Sequence, residues 1–238
     1  MSGPTSSVRR IVSADEGAAA EACARRVLGV LGEAVRANGS ATLAVSGGSS
    51  PKLLFARMAA AQFDWRGVHI FWVDERCVPP TDGASNYKLV KEYLIAPAGI
   101  PETQVHRVVG EIAPEEAAAR YADDIRAFFG LTGSELPRFD VLHRGVGPDA
   151  HTASLFPGDP LIDDRAGIAA ATFAAKFKQW RVTLLPGVLL AAAHTVVYAP
   201  GPDKAEALGH VFGEEYDPKK YPSQIGLRDG GEMTWFLT

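Results

Sequence analysis

The sequence predicts an α/β fold, a mostly parallel, Rossmann-like three-layer sheet with helices on both faces. Three observations carry that prediction. Short apolar runs of strand length alternate with helical patterns of about 10–20 residues, the order that covers a parallel sheet on both sides. Three of the runs end in glycine-bearing junctions, at Ser46-Gly47-Gly48, Gly145-Val146-Gly147 and Gly201-Pro202-Asp203-Lys204. The 238 residues, 47% of them hydrophobic and 22% charged, suffice for one sizeable core, so a single domain over 1–238 is expected, with residues 1–7 as a tail.

In order, Val8 to Val12 can form the first strand. Ser13 and Glu16 have the spacing of a capping box that opens a long Ala-rich helix, ended by Asn38-Gly39. Ala41 to Val45 is an apolar strand running into Ser46-Gly47-Gly48-Ser49-Ser50-Pro51, where Pro51 suits the first position of a helix capped by Ser50. Val68 to Val73 is the next strand, terminating in Asp74-Glu75-Arg76 and a loop. Ser85 can cap a helix over 86–96; Gln104 to Val109 suits a short strand, and Pro114 to Phe129 a helix. Phe139 to Leu142 is an apolar run that enters the Gly145–Gly158 stretch. Ile168 to Phe173 and Arg181 to Leu185 read as strands, and Pro186 starts a helical turn. Thr195 to Tyr198 is a strand followed by a helix over Lys204 to Phe212. Residues 213–232, rich in Gly, Pro and charge, form a long loop suited to an interaction or lid role, and Met233 to Leu237 is the last strand.

Composition narrows the function classes. A net charge of −4 without a run of Lys and Arg argues against nucleic acid as the main partner, so any anion must be bound locally. Residues 1–8 lack the apolar core of a signal peptide, and the apolar run Leu184 to Ala193 is interrupted by Pro186 and Gly187 and too short to span a bilayer. Cys23 and Cys77 belong to no Cys/His cluster, so neither a disulfide framework nor a metal is indicated. A soluble protein of the reducing cytoplasm is expected.

Right-handed crossovers bring the carboxyl ends of parallel strands to one edge, where open α/β sheets bind ligands. Gly47, Arg76, Asp149, His151 and Lys204 all lie at such ends, so one pocket can contain them. Paired glycines, three hydroxyls and a helix start at Ser46–Pro51 offer donors to a phosphate. Arg76 can clamp a phosphate or join a surface carboxylate network. Gly145 and Gly147 permit positive φ and exposed N–H groups, and Asp149 can fix the tautomer of His151, leaving its other nitrogen as a general base. Taken locally, that stretch has two other readings. Asp149 can cap a helix starting near Ala150, and Gly145-x-Gly147-x-x-Ala150 matches a dinucleotide fingerprint.

Together these residues resemble the 6-phosphogluconolactonase family. The resemblance rests on Ser46–Pro51, Asp74-Glu75-Arg76 with Ser85-Asn86-Tyr87, and Gly145-x-Gly147-x-Asp149-x-His151-Thr152-Ala153-Ser154-Leu155-Phe156-Pro157-Gly158. Arg181-Val182-Thr183-Leu184, Asp203-Lys204-Ala205 and Thr234-Trp235-Phe236-Leu237 extend it over nearly the whole chain. The wider group includes glucosamine-6-phosphate deaminase and shares its sheet with ribose-5-phosphate isomerase. In the deaminases a segment ending in Phe-Asn-Glu follows the histidine, whereas Leu155-Phe156-Pro157 stands here, which favours the lactonase. Two positions depart from the family pattern. Ala150 stands where glycine is usual, which excludes easy positive φ and reshapes the loop; His143-Arg144 replaces an apolar pair. Those two either serve substrate binding or, as expected here, face solvent or a carboxylate.

The resemblance implies hydrolysis of 6-phospho-D-glucono-1,5-lactone to 6-phosphogluconate in the oxidative pentose phosphate pathway. It implies His151 as base, Asp149 as its orienter, and Gly47, Gly48, Ser49, Arg76, Arg181 and Lys204 around the substrate. No metal or organic cofactor is implied, and the protein is expected as a monomer or small homo-oligomer with no nucleic-acid or membrane partner. Alternatives are a sugar-phosphate deaminase or isomerase, a non-catalytic sugar-phosphate sensor, and a nucleotide-dependent oxidoreductase. The last lacks a ribose-binding acid at the next strand end. His69, His106, His143, His194 and His210 share no spacing and are expected to be structural or superficial.

Overall fold

The structure, a computed structural model, describes residues 7–48 and 50–238. The tail expected over 1–7 lies, save Ser7, outside the described residues, and so does Ser49. The chain runs β1 (Val8–Val12), α1 (Glu16–Asn38), β2 (Ala41–Val45), α2 (Pro51–Ala60), β3 (Val68–Trp72) and β4 (Asp74–Arg76). A helical stretch follows: α3 (Asn86–Val90), a π turn over Lys91–Ile95, and α4 (Ala96–Ala98). Then come β5 (Val105–His106), α5 (Pro114–Phe129), β6 (Val141–Arg144), β7 (Ala169–Ala174) and β8 (Gln179–Leu184). α6 (Pro186–Ala191), β9 (His194–Tyr198), α7 (Ala205–Val211) and β10 (Glu232–Leu237) complete it. None of the helices among the described residues is long and apolar enough to cross a membrane.

Seven strands form the main sheet in the order β1-β10-β9-β6-β2-β3-β5, each paired parallel to its neighbour. A second sheet, absent from the sequence reading, has the order β4-β8-β7 and is antiparallel. The triplet Asp74-Glu75-Arg76 is therefore a strand, paired with Arg181 to Thr183, and not a charged loop end. Its hydrogen bonds continue into the main sheet, for Leu184 N–H donates to the Val73 carbonyl at 2.8 Å.

The central strands are buried on both faces, as a parallel sheet covered by helices requires. Every residue of β2 is buried, and so is every residue of β6, His143 and Arg144 included. The expectation that these two face solvent or a carboxylate is corrected: a central strand stays enclosed to its end whatever its last side chains are. α5 is tied to β3 through Tyr121, whose hydroxyl accepts from Trp72 N–H (2.6 Å) and donates to Trp72 O (2.7 Å), so the buried phenol is satisfied.

Two caps also differ from expectation. α1 is capped by Asp15, whose Oδ1 accepts from Ala18 N–H at 2.8 Å, instead of by the Ser13 capping box; Gly39 ends it at φ 81°. Ser50 already has helical backbone and makes no side-chain cap, and Pro51 stands at the first position of α2. Ser85 does cap α3, accepting from Lys88 N–H at 3.1 Å.

From β2 the chain travels outward to β3 and β5, then crosses back to place β6 on the other flank of β2. The β2–β6 junction is thus the switch point of the sheet, where crossovers diverge and leave a crevice at the strand carboxyl ends.

Candidate active site

A cavity of about 270 Å³ opens at that crevice. Ser46, Gly47 and Gly48 reach it from the end of β2, and Gly145, Gly147 and His151 from the end of β6. β4 supplies Asp74 and Arg76, β8 supplies Arg181, and Tyr198 and Lys204 follow from β9.

The loop after β6 is shaped differently from its sequence reading. Gly145 and Gly147 do not have positive φ; the left-handed positions are Ala150 (φ 59°), Ala153 (φ 53°) and Gly158 (φ 78°). The expectation that a methyl at 150 excludes this conformation is corrected. The residue is buried in a cluster that includes Val146, Val197 and Trp235, and burial of its methyl, about 0.8 kcal/mol, recovers part of a backbone cost of about 1–2 kcal/mol. Gly147 is required for another reason: a Cβ there would lie 2.0 Å from both Cε1 and Nδ1 of His151. The imidazole rests on the bare glycine backbone. No helix starts at Ala150, which removes both the capping role of Asp149 and the helix N-terminus that a dinucleotide pyrophosphate would need.

Asp149 Oδ1 lies 2.5 Å from His151 Nδ1, and Oδ2 lies 3.2 Å from Lys176 Nζ. The hydrogen bond to His151, with help from Lys176, holds the Asp149 carboxyl well below the usual carboxylate range. An ionised carboxylate at Nδ1 keeps the ring proton there and leaves Nε2 as the basic nitrogen. Phe156 packs on the ring at 4.6 Å between centroids.

The cavity lining is also cationic. Arg76 donates from Nη1 to Ala84 O at 2.5 Å, and its Nε has no partner among the described residues. Neighbouring Glu75 is engaged elsewhere, accepting N–H groups of Arg76, Asn86 and Tyr87 at 2.6–2.7 Å and the Ser85 hydroxyl at 3.2 Å. Burial pushes its pKa up, while those donors oppose the shift. Arg181 is buried, 4.0 Å from Asp74 Oδ2 and stacked over Phe177 at 4.7 Å; burial lowers its pKa. Lys204 Nζ lies 2.9 Å from Asp203 Oδ2. Gly47 is needed because a Cβ would meet Asn86 Oδ1 at 2.0 Å, and Gly48 adopts φ 107°.

Of the sequence candidates, Gly47, Gly48, Arg76, His151, Arg181 and Lys204 line one cavity, and Asp149 stands behind His151. Ser46, Asp74, His143, Phe177 and Tyr198 also line it; Ser46 entered the sequence reading only as one of three hydroxyls and His143 only as one of two readings, and Asp74, Phe177 and Tyr198 were not expected as substrate contacts. Ser46, His143 and Tyr198 belong to the ends of β2, β6 and β9, where the strand-end rule could have found them; Phe177 and Lys176, on the β7–β8 turn, leave no sequence signal. His143 is a correction to the group of structural or surface histidines. Burial holds its pKa down at about 4, so the ring is neutral. The others do lie elsewhere: His69 and His106 hydrogen-bond each other and then Asp124, His194 meets Arg26 and Glu232, and His210 stacks on Tyr221. Cys23 and Cys77 are unpaired; burial raises the Cys77 pKa to about 11, so it is no activated thiol.

A sequence profile of the family described as glucosamine-6-phosphate isomerases/6-phosphogluconolactonase matches residues 14–235. A 6-phosphogluconolactonase of Synechocystis sp. is 34% identical over 86% of this chain and 85% of its own. The Homo sapiens 6-phosphogluconolactonase is 36% identical over 82% of this chain and 77% of its own. Among solved structures, the 6-phosphogluconolactonase from Trypanosoma cruzi superposes with a TM-score of 0.87 at 25% identity, covering 100% of this chain and 96% of that one. Profile, relatives and fold agree with one another, and the chain belongs to the glucosamine-6-phosphate isomerase/6-phosphogluconolactonase family.

Proposed function

We propose that the chain hydrolyses 6-phospho-D-glucono-1,5-lactone to 6-phosphogluconate, the lactone-opening step of the oxidative pentose phosphate pathway. The observation that carries the reading is the Asp149–His151 pair, whose imidazole lines a cavity also lined by Arg76, Arg181 and Lys204. Relatives named for this reaction support it.

Water attacks C1 of the lactone while His151 Nε2 takes its proton, a contribution of about 10²–10⁴-fold for a positioned base. The tetrahedral oxyanion is stabilised by loop N–H groups and a cation of the cavity. Its collapse breaks the bond from C1 to the ring oxygen, which receives the proton from the imidazolium, and the open-chain acid leaves. Asp149 keeps the imidazole in the required tautomer. The phosphate does not react; Gly47, Gly48 and Ser49 with Arg76 and Lys204 anchor it, and Arg181 completes the cationic set, so C1 is held against the water. Every step uses groups of the chain itself, backbone and side chain, and water. The same reading has the enzyme act in the cytoplasm on a diffusible phosphosugar lactone, as a monomer or small homo-oligomer.

The test is purified protein with freshly generated lactone, followed by coupled oxidation of 6-phosphogluconate. Turnover well above spontaneous opening is expected, and His151→Ala should lower kcat by about 10²–10⁴-fold with little change in KM. A wild-type rate no faster than spontaneous hydrolysis refutes the reading; a His151→Ala enzyme with wild-type kcat refutes the base.

A further inference from the structure

The segment 213–232 does not cover the cavity, and none of its residues lines it. It packs beneath the catalytic loop. Its turn Pro222–Gln224 is buried, and Ser223 is 1% exposed. Ser223 N–H donates to Ala150 O at 2.8 Å, and its hydroxyl donates to His151 O at 3.0 Å. The second acceptor also receives Gly147 N–H at 2.9 Å, so the peptide carrying the imidazole is gripped from both sides.

The turn is itself anchored. Gln224 Nε2 donates to Glu215 O at 2.8 Å and to His210 O at 3.2 Å, and its Oε1 accepts from Asp217 N–H at 2.7 Å. From the end of β6, the Arg144 guanidinium donates to Ile225 O, while its Nε and Nη1 find no partner among the described residues. A fully buried guanidinium held by a carbonyl instead of a carboxylate is costly for stability, with burial lowering its pKa to about 10. What that contact does is close a ring: Arg144 holds Ile225, the turn holds Ala150 and His151, and the loop runs back to Arg144.

We infer that Ser223 is a positioning residue for His151, and that Arg144 anchors the brace to which it belongs. The two departures from the family pattern then have one explanation. Ala150 takes a left-handed conformation that alanine does not hold by itself, and such a position persists only where its surroundings over-determine it. The brace supplies that constraint immediately before the general base.

The inference rests on the hydrolytic reading above, and the experiment separates the two. Ser223→Ala in the full chain keeps the backbone donor to Ala150 and leaves His151 O with Gly147 N–H, so the fold loses one hydrogen bond and remains folded. Its kcat for lactone opening should fall about tenfold or more, as sub-ångström displacement of a reacting group implies, with KM unchanged within about twofold and a cooperative melt. Arg144→Met, which retains the stem and removes the donor, should repeat that split. A wild-type enzyme without turnover overturns the hydrolytic reading. An active wild type with unchanged kcat in Ser223→Ala, or with kcat loss matched by a rise in KM, overturns the positioning role alone. Unchanged kcat in Arg144→Met overturns the part given to Arg144.

Discussion

Replacing Gly147 by alanine tests the catalytic geometry most directly. The new Cβ would stand 2.0 Å from His151 Cε1 and Nδ1, whereas ordinary contact begins near 3.4 Å, so the ring must retreat by about 1.4 Å. That retreat cannot leave the 2.5 Å hydrogen bond to Asp149 intact. Displacement of a reacting group by about 1 Å costs on the order of 10²-fold, and complete loss of a general base about 10²–10⁴-fold, so kcat should fall within that range. The fold should tolerate the change. Gly147 is not in the left-handed region, its hydrogen bonds to His151 and Ala150 are made by backbone atoms, and alanine narrows the unfolded ensemble by about 0.4–1 kcal/mol. KM should change little, because the cationic anchors Arg76, Arg181 and Lys204 come from other elements: β4, β8 and the segment after β9. The assay is lactone opening beside a thermal melt of the same preparation. A kcat within about threefold of wild type, at an unchanged melting temperature, would show that the ring position does not matter and would refute the general-base assignment.

Two further outcomes are expected. Arg76→Ala removes a guanidinium from the cavity lining; the loss of charge-assisted bonds worth about 1.5–3 kcal/mol should raise KM roughly 10- to 100-fold with kcat little changed, and initial-rate kinetics showing the opposite split would exclude a phosphate-anchoring role. His143 makes stability depend on pH. The unfolded imidazole protonates near 6.5 and the folded one only near 4, so its contribution is complete above 6.5 and is lost as pH falls from 6.5 toward 4. At pH 5 the loss is about 2 kcal/mol, and His143→Leu should abolish it; urea melts at pH 7 and 5 that show the same difference in both proteins would contradict the assignment.

Much of the fold was legible because its signals are local. β1, β2 and α5 have the boundaries that their patterns mark, and Gly39 stops α1 as written. The short charged strand β4 was not legible, because Asp74-Glu75-Arg76 is stabilised by distant partners: Ser154 hydrogen-bonds Asp74 at 2.8 Å, and the backbone pairs antiparallel with Arg181 to Thr183. His143 and Arg144 were misjudged for the same kind of reason. Charge argues for the surface, but the strands on either side of β6 leave no surface there to occupy.

At the site, residue types and their strand-end positions were enough to mark Gly47, Arg76, Asp149, His151 and Lys204, since a ligand crevice at the carboxyl edge follows from parallel topology and right-handed crossovers. Nothing local distinguishes a glycine needed for positive φ from one needed to let a ring approach, and Gly147 proved to be the second kind. Nor could the reach of Lys176 to Asp149, or of Ser223 to the peptide of His151, be read along the chain; these contacts span 27 and 72 residues. Alternation and glycine placement set the sheet, its edge and the chemistry available there. The support of the peptide that carries the imidazole was decided only by tertiary packing, because it depends on atoms brought together by segments that carry no local trace of one another.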